Sequence, residues 1–356
     1  MRILKALISS WLFCALAAAG ATLSTGQKSS LDAEIRSLLD SQHLPSISVA
    51  IARDGHILYL DAAGSADVKH GRKATPKTLY RLASISKPLT AVAVLQLASI
   101  GKLELDQPVE KYCPAFSGHP EVTARQLLAH RSGIPFYKSD ATLYNTRHFD
   151  TLNAAVRNVA AIPLEFSPGT GYQYSSYGYT VLGCAIEGAS GEPYDRYMQS
   201  HVFAPAGMRH TLVDTRVPAR RKAAFYSWKQ ERIQDALPLD SSDRLPGGGW
   251  LSTPEQLVKF ADAVMEHRLL NESWTEQMWH ETTLAGESSH YALGWALDSL
   301  DGHGVVEHAG GQSGTSTILI LVPDERLAVA VFSNRDGADM TQVGERLVHE
   351  LLQYEH

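Results

Sequence analysis

Cysteine is scarce in this chain, with three residues among 356, at Cys14, Cys113 and Cys184. None has a C-x-x-C partner or a histidine at metal spacing, so a structural zinc site is not expected. Charge of one sign is also thin: 32 basic and 38 acidic residues leave a net charge of -6, with no long basic run. Nucleic acid and anionic membrane surfaces drop out as partners. Beyond the N-terminus no apolar run reaches spanning length, so the body is expected to be soluble. The 15 histidines include no H-E-x-x-H and no H-x-H, and His303 and His308 are spaced for neither helix nor strand. No metal or other cofactor is expected. A G-x-S-x-G elbow is absent too; Gly310-Gly311-Gln312-Ser313-Gly314 comes near it in letters, but no helix follows. Neither a fixed-period repeat nor a low-complexity linker is present. What remains is ordinary globular composition, 44% hydrophobic and 20% charged, long enough to bury a sizeable core. The expected partner is a small-molecule or peptide substrate.

The first residues read as an address. Arg2 and Lys5 precede an apolar stretch from Ala6 to Ala19, and Ala17, Ala19 and Ala21 supply small residues for cleavage. Residues 1–21 are expected to be a signal peptide, which makes the protein exported, periplasmic or secreted, with no stable membrane insertion after cleavage. The alternative is an uncleaved N-terminal anchor. An oxidising compartment permits a Cys113–Cys184 bridge, and two cysteines by themselves leave it open.

Ser29 or Ser30 can cap a helix whose stripe is Leu31, Ile35, Leu38 and Leu39. Ile47 to Ala52, Asp54-Gly55 and Ile57 to Leu60 read as a hairpin. Near the other end, Ala292 to Asp298, Thr317 to Val322 and Leu327 to Ser333 read as strands, followed by a helix from about Met340 to Leu352. The stretch between holds helical runs at Leu89 to Ile100, Val122 to Leu128, Val181 to Ala189 and Pro254 to Met265. The fold class is therefore α+β: an antiparallel sheet built from both chain ends and flanked by helices, with a mostly helical inserted lobe. The boundaries are a catalytic domain over 28–356, its sheet lobe about 28–87 and 288–356, its helical lobe about 88–287.

Ser84-Ile85-Ser86-Lys87 is an S-x-x-K, a pattern that composition alone produces about once in such a chain. Pro88 and the apolar run behind it place Ser84 near a helix N-terminus, because proline fits only the opening turn. Ser84 and Lys87 then share a face, and the helix dipole favours negative charge on the serine. The plain alternative is a capping serine and a solvated lysine. Tyr174-Ser175-Ser176 stands where a loop enters a second helix, and a neighbouring ammonium is expected to lower the Tyr174 phenol pKa. Tyr137-Lys138-Ser139 repeats that spacing without the helix. His308-Ala309-Gly310-Gly311 is strand-like, and its glycines let a substrate backbone approach. A backbone N–H there, paired with that of Ser84, suits an oxyanion hole.

The order S-x-x-K, Y-x-S, H-x-G resembles the serine β-lactamase and penicillin-binding-protein superfamily, in its class C-like branch of β-lactamases, esterases and D-amino-acid peptidases. Tyr80 to Lys87, Leu127 to Ile134 and Gly247 to Thr253 support the likeness, and within the superfamily the chain most resembles the mitochondrial serine β-lactamase-like proteases. The resemblance implies a β-lactamase/transpeptidase-like fold and Ser84 as nucleophile. It implies Lys87 as proton acceptor or electrostatic partner and Tyr174 as general base serving the leaving group. The backbone N–H groups of Ser84 and Gly311 would form the oxyanion hole, with Ser176, His308 and Gly310 binding substrate. Two positions depart from the family pattern. Ser176 stands where an asparagine is usual. His308 replaces a lysine that favours a substrate carboxylate, and it is a poorer anchor because it is largely neutral at pH 7. The expected function is a peptidase or amidase acting through acyl-Ser84, with an esterase or weak class C-like β-lactamase as the alternative. A catalytically idle scaffold is the non-enzyme reading. Relatives of this kind sometimes form homo-oligomers.

Overall fold

A computed structural model describes residues 22–281, 283–284 and 287–353, so the signal peptide expected over residues 1–21 lies outside the described residues. Strands from both chain ends form one seven-stranded antiparallel sheet. They are β1 (Ser46–Arg53), β2 (His56–Asp67), β3 (Arg72–Lys73), β4 (Ala296–Leu300), β5 (His303–Gln312), β6 (Thr315–Val322) and β7 (Leu327–Ser333), in the spatial order β4-β5-β6-β7-β1-β2-β3. The β1–β2 turn is Asp54-Gly55, both at positive φ (51° and 74°), as a tight hairpin matching the strand twist demands.

β1 and β7 lack the apolar–polar alternation of a sheet with one wet face. They alternate instead by size. Val49, Ile51, Val329 and Val331 pack on one face, against helices α1 (Thr25–Ser41) and α5 (Met340–Gln353). Ala50, Ala52, Ala328 and Ala330 point the other way. There α4 (Pro254–Met265) closes over them, in one core with α2 (Ser86–Ser99) and α3 (Ser176–Ser190). The small side chains let α4 approach the sheet closely. α2 is apolar nearly all round, as a helix at the centre of a core must be. Among the described residues no helix is long and apolar enough to cross a membrane.

Three expectations shift. α1 begins after Ser24 rather than Ser29 or Ser30, through a capping box in which Ser24 and Gln27 cap each other's backbone. Its first turns are largely exposed and carry no apolar period to read. β4 starts at Ala296 rather than Ala292, because Gly294 (φ 89°) and the Ala292 N–H to Trp295 C=O bond turn the chain there. Its apolar letters mark core burial, not strand. α3 starts at Ser176, five residues before the first apolar residue of its periodic run, because Ser175 caps it by accepting from the Gly178 N–H. Cys113 and Cys184 are joined by a disulfide, Cα to Cα 5.4 Å.

Candidate active site

The 3-10 turn Ala83–Ile85 and the first turn of α2 that follows it deliver the serine–lysine pair. From Thr78 to Leu95 every side chain is buried except Ser84, which is partly exposed. The residue before it, Ala83, has φ 48°, a conformation that costs an L-residue about 1 kcal/mol or more. One turn on, Lys87 is fully buried. Its Nζ lies 3.0 Å from Ser84 Oγ, 3.0 Å from Ser176 Oγ and 3.1 Å from the Gly247 carbonyl. That carbonyl is held by the neighbouring Pro246, whose own C=O accepts from Thr90 Oγ1 on α2. Because Ser175 caps α3, Ser176 is its first residue and reaches Lys87, while Tyr174 sits just ahead of the helix. Lys87 Nζ lies 4.7 Å from the Tyr174 ring centre. The structure thus brings Ser84, Lys87, Tyr174 and Ser176 together.

β5 supplies the opposite wall. β4 pairs with it only over His303–Glu307, so that edge of residues 308–312 is free of β4 where it passes Ser84. A Cβ on Gly310 would sit 2.3 Å from Thr317 Oγ1, 2.5 Å from the Leu82 carbonyl and 3.2 Å from the Ser84 amide nitrogen. Only a glycine allows this approach. Gly311, next along, is exposed. Gly310→Ala is therefore expected to displace β5 from Ser84. It should cut kcat/KM by about tenfold or more and lower Tm, measured by steady-state kinetics and thermal denaturation.

The electrostatics run against one expectation, that a neighbouring ammonium lowers the Tyr174 phenol, and agree with a neutral His308. Burial, with the Arg244 guanidinium adding to it, pushes Lys87 well below the ordinary lysine range. The lysine is thus driven toward its free base and is no dependable cation for a neighbour. Accordingly the Tyr174 phenol is raised by burial, with the Ser84 side chain's hydrogen bond opposing, and is not lowered. His308 is pushed down to about 3 by burial and by Lys87, so it bears no charge. Its Nδ1 faces the Ala309 carbonyl at 2.7 Å, which accepts only, so Nδ1 carries the proton; Nε2 then accepts from the Tyr291 hydroxyl at 2.9 Å. Both ring nitrogens are occupied.

Several contributors went unread in the sequence. His130, in the Leu127 to Ile134 segment, accepts from the Ser175 N–H on Nδ1 and lies 4.3 Å from the Tyr174 ring. Burial holds it, too, well below the histidine range. Arg244 is buried, pairs with Asp243 and lies over the Tyr137 ring at 4.3 Å. Tyr137 thus borders the site. The Leu127 to Ile134 segment was a signal for His130; Arg244 and Tyr291 stand in unremarkable local sequence. Elsewhere, His303, Asp324 and Glu325 are close enough to hold a metal ion, at the far end of β5 from His308.

Known proteins share this architecture. The chain is 35% identical over 226 residues to Esterase EstB of Burkholderia gladioli, covering 58% of this chain and 57% of the esterase. It is 28% identical over 387 residues to the mitochondrial serine beta-lactamase-like protein LACTB of Homo sapiens, 80% of this chain and 70% of that one. The octameric penicillin-binding protein homologue from Pyrococcus abyssi superposes with a TM-score of 0.77 at 25% identity, over 93% of this chain and 78% of the other. These relatives carry the β-lactamase/transpeptidase fold of the serine hydrolase superfamily. The Beta-lactamase family model runs from residue 31 to 353, from the first buried leucine of α1 to the end of α5, and the chain belongs to that family.

Proposed function

We propose that the protein hydrolyses amide bonds through an acyl-Ser84 intermediate, as a peptidase or amidase. One observation carries this: a fully buried lysine, depressed toward its free base, 3.0 Å from the one partly exposed hydroxyl in its stretch of chain. A neutral amine has two N–H bonds and one lone pair. The N–H bonds satisfy Gly247 C=O and Ser176 Oγ, and the lone pair takes the Ser84 proton as Oγ attacks the substrate carbonyl. The oxyanion forms between the N–H groups of Ser84 and Gly311. Tyr174, neutral, passes its proton to the departing amine and is reprotonated with the proton Lys87 took from Ser84; water then adds its hydroxyl to the acyl carbon and its proton returns to Ser84 Oγ, releasing the acid.

His308 narrows the substrate. A neutral ring with both nitrogens engaged offers no cation and no free N–H to a carboxylate. Substrates are therefore neutral beyond the scissile bond. The same feature favours a second reading, ester hydrolysis, in line with the likeness to an esterase. Export is part of the proposal and is supported by the disulfide, which persists in oxidising compartments. Assembly into a homo-oligomer is supported by the octameric homologue.

A fluorophosphonate probe is expected to add covalently to Ser84, read by intact mass. In a panel of matched peptides, C-terminal amides should exceed free acids by about tenfold in kcat/KM, a difference of about 1.4 kcal/mol. A p-nitrophenyl ester ranks the ester reading against the amide one. Preference for free acids, or rapid turnover of a chromogenic cephalosporin, would overturn the assignment to neutral substrates.

A further inference from the structure

A cavity of about 700 Å³ opens at the start of α4, lined among others by Lys77, Leu79, Arg209, His210, Arg221 and Thr253. None of Ser84, Lys87, Tyr174, Ser176 or His308 lines it. Its charge is one-sided. The side chains of Lys77, Arg209 and Arg221 come from three separate segments and make no ion pair with any described residue. The single lining carboxylate, Glu255, is neutralised by Lys259 one turn along α4. Thr253 is 4% exposed, yet its hydroxyl has no hydrogen-bond partner among the described residues. It also leaves α4 without a side-chain cap; Pro254 has no N–H, and the Gln256 N–H is taken by the Thr253 carbonyl.

We infer that this cavity binds a soluble organic phosphate. Three unpaired cations call for a ligand with more than one negative charge, and a phosphate accepts from two guanidinium forks and a hydroxyl at once. Leu79, Leu212 and Pro76 provide an apolar wall for the organic part, and the volume suits a ligand of nucleotide size.

AMP titrated into the full chain by calorimetry tests this. Saturable one-to-one binding is expected, weakening as salt rises, with adenosine not binding. The Arg209→Ala/Arg221→Ala variant and Thr253→Val should each weaken AMP by about tenfold or more, while p-nitrophenyl ester hydrolysis by both stays at the wild-type rate. Equal affinity in wild type and the double variant would overturn the inference, as would binding of adenosine as tight as AMP. So would binding confined to phosphatidylcholine vesicles containing phosphatidic acid.

Discussion

Ser84→Ala is expected to lower kcat by about 10⁴-fold or more, and Lys87→Met by about 10² to 10⁴-fold. The reason is division of labour: the hydroxyl forms the covalent bond, and the amine takes its proton. The two substitutions should not add, since each disables the same step. What separates Lys87 from an ordinary structural residue is its opposite effect on stability. The amine is buried without a carboxylate at its tip, so a thioether of similar length removes a desolvated amine at the cost only of its hydrogen bonds to Ser84, Ser176 and the Gly247 carbonyl. Lys87→Met should therefore hold or raise Tm at pH 7 while activity collapses. The pH dependence gives a further check. The folded-state pKa lies below the unfolded value of 10.5, so between the two the unfolded chain binds the extra proton and wild-type stability rises with pH. The stability gap between Lys87→Met and wild type should narrow as pH climbs toward 10.5. Wild-type kcat/KM should rise with pH along an acid limb that Lys87→Met lacks. A variant retaining near wild-type kcat would remove Lys87 from the chemistry.

Reducing the Cys113–Cys184 bridge is expected to cost about 4 kcal/mol of stability, from the loop entropy of a 71-residue separation. For a chain of this size the cost corresponds to a Tm lower by roughly 5–10 °C. The bridge ties α3, through Cys184, to the turn at Cys113, and the packing around it is tight. A Cβ on Gly188 would lie 1.8 Å from the Tyr112 carbonyl. Because α3 presents Ser176 to Lys87 from its first turn, loosening its far half should also soften the site. Guanidinium unfolding with and without reductant measures the stability cost, and ester turnover in the same samples measures the effect on the site. Superimposable unfolding curves would show that the bridge contributes nothing.

Much of the architecture was legible before any coordinates. The Asp54-Gly55 hairpin, the strand Leu327–Ser333 and the helix Pro254–Met265 announce themselves through local turn chemistry, size alternation and proline placement. Where the reading slipped, the local signal was missing or ambiguous. The exposed first turns of α1 carry no apolar period, and Ala292 to Trp295 are apolar because they are core, not because they are extended.

Sequence alone determined the spacing of Ser84 and Lys87 on one helical face, the glycines of β5 and the loop-to-helix entry at Tyr174, since each depends on neighbours a few residues away. Only the tertiary structure decided the charge states. Lys87 is driven toward neutrality, Tyr174 held protonated and His308 silenced by burial under segments far apart in the chain, with Arg244 and Tyr291 brought in from the segment before α4 and from before β4. Desolvation sums over everything packed within a few ångströms, and no local pattern of letters encodes that sum.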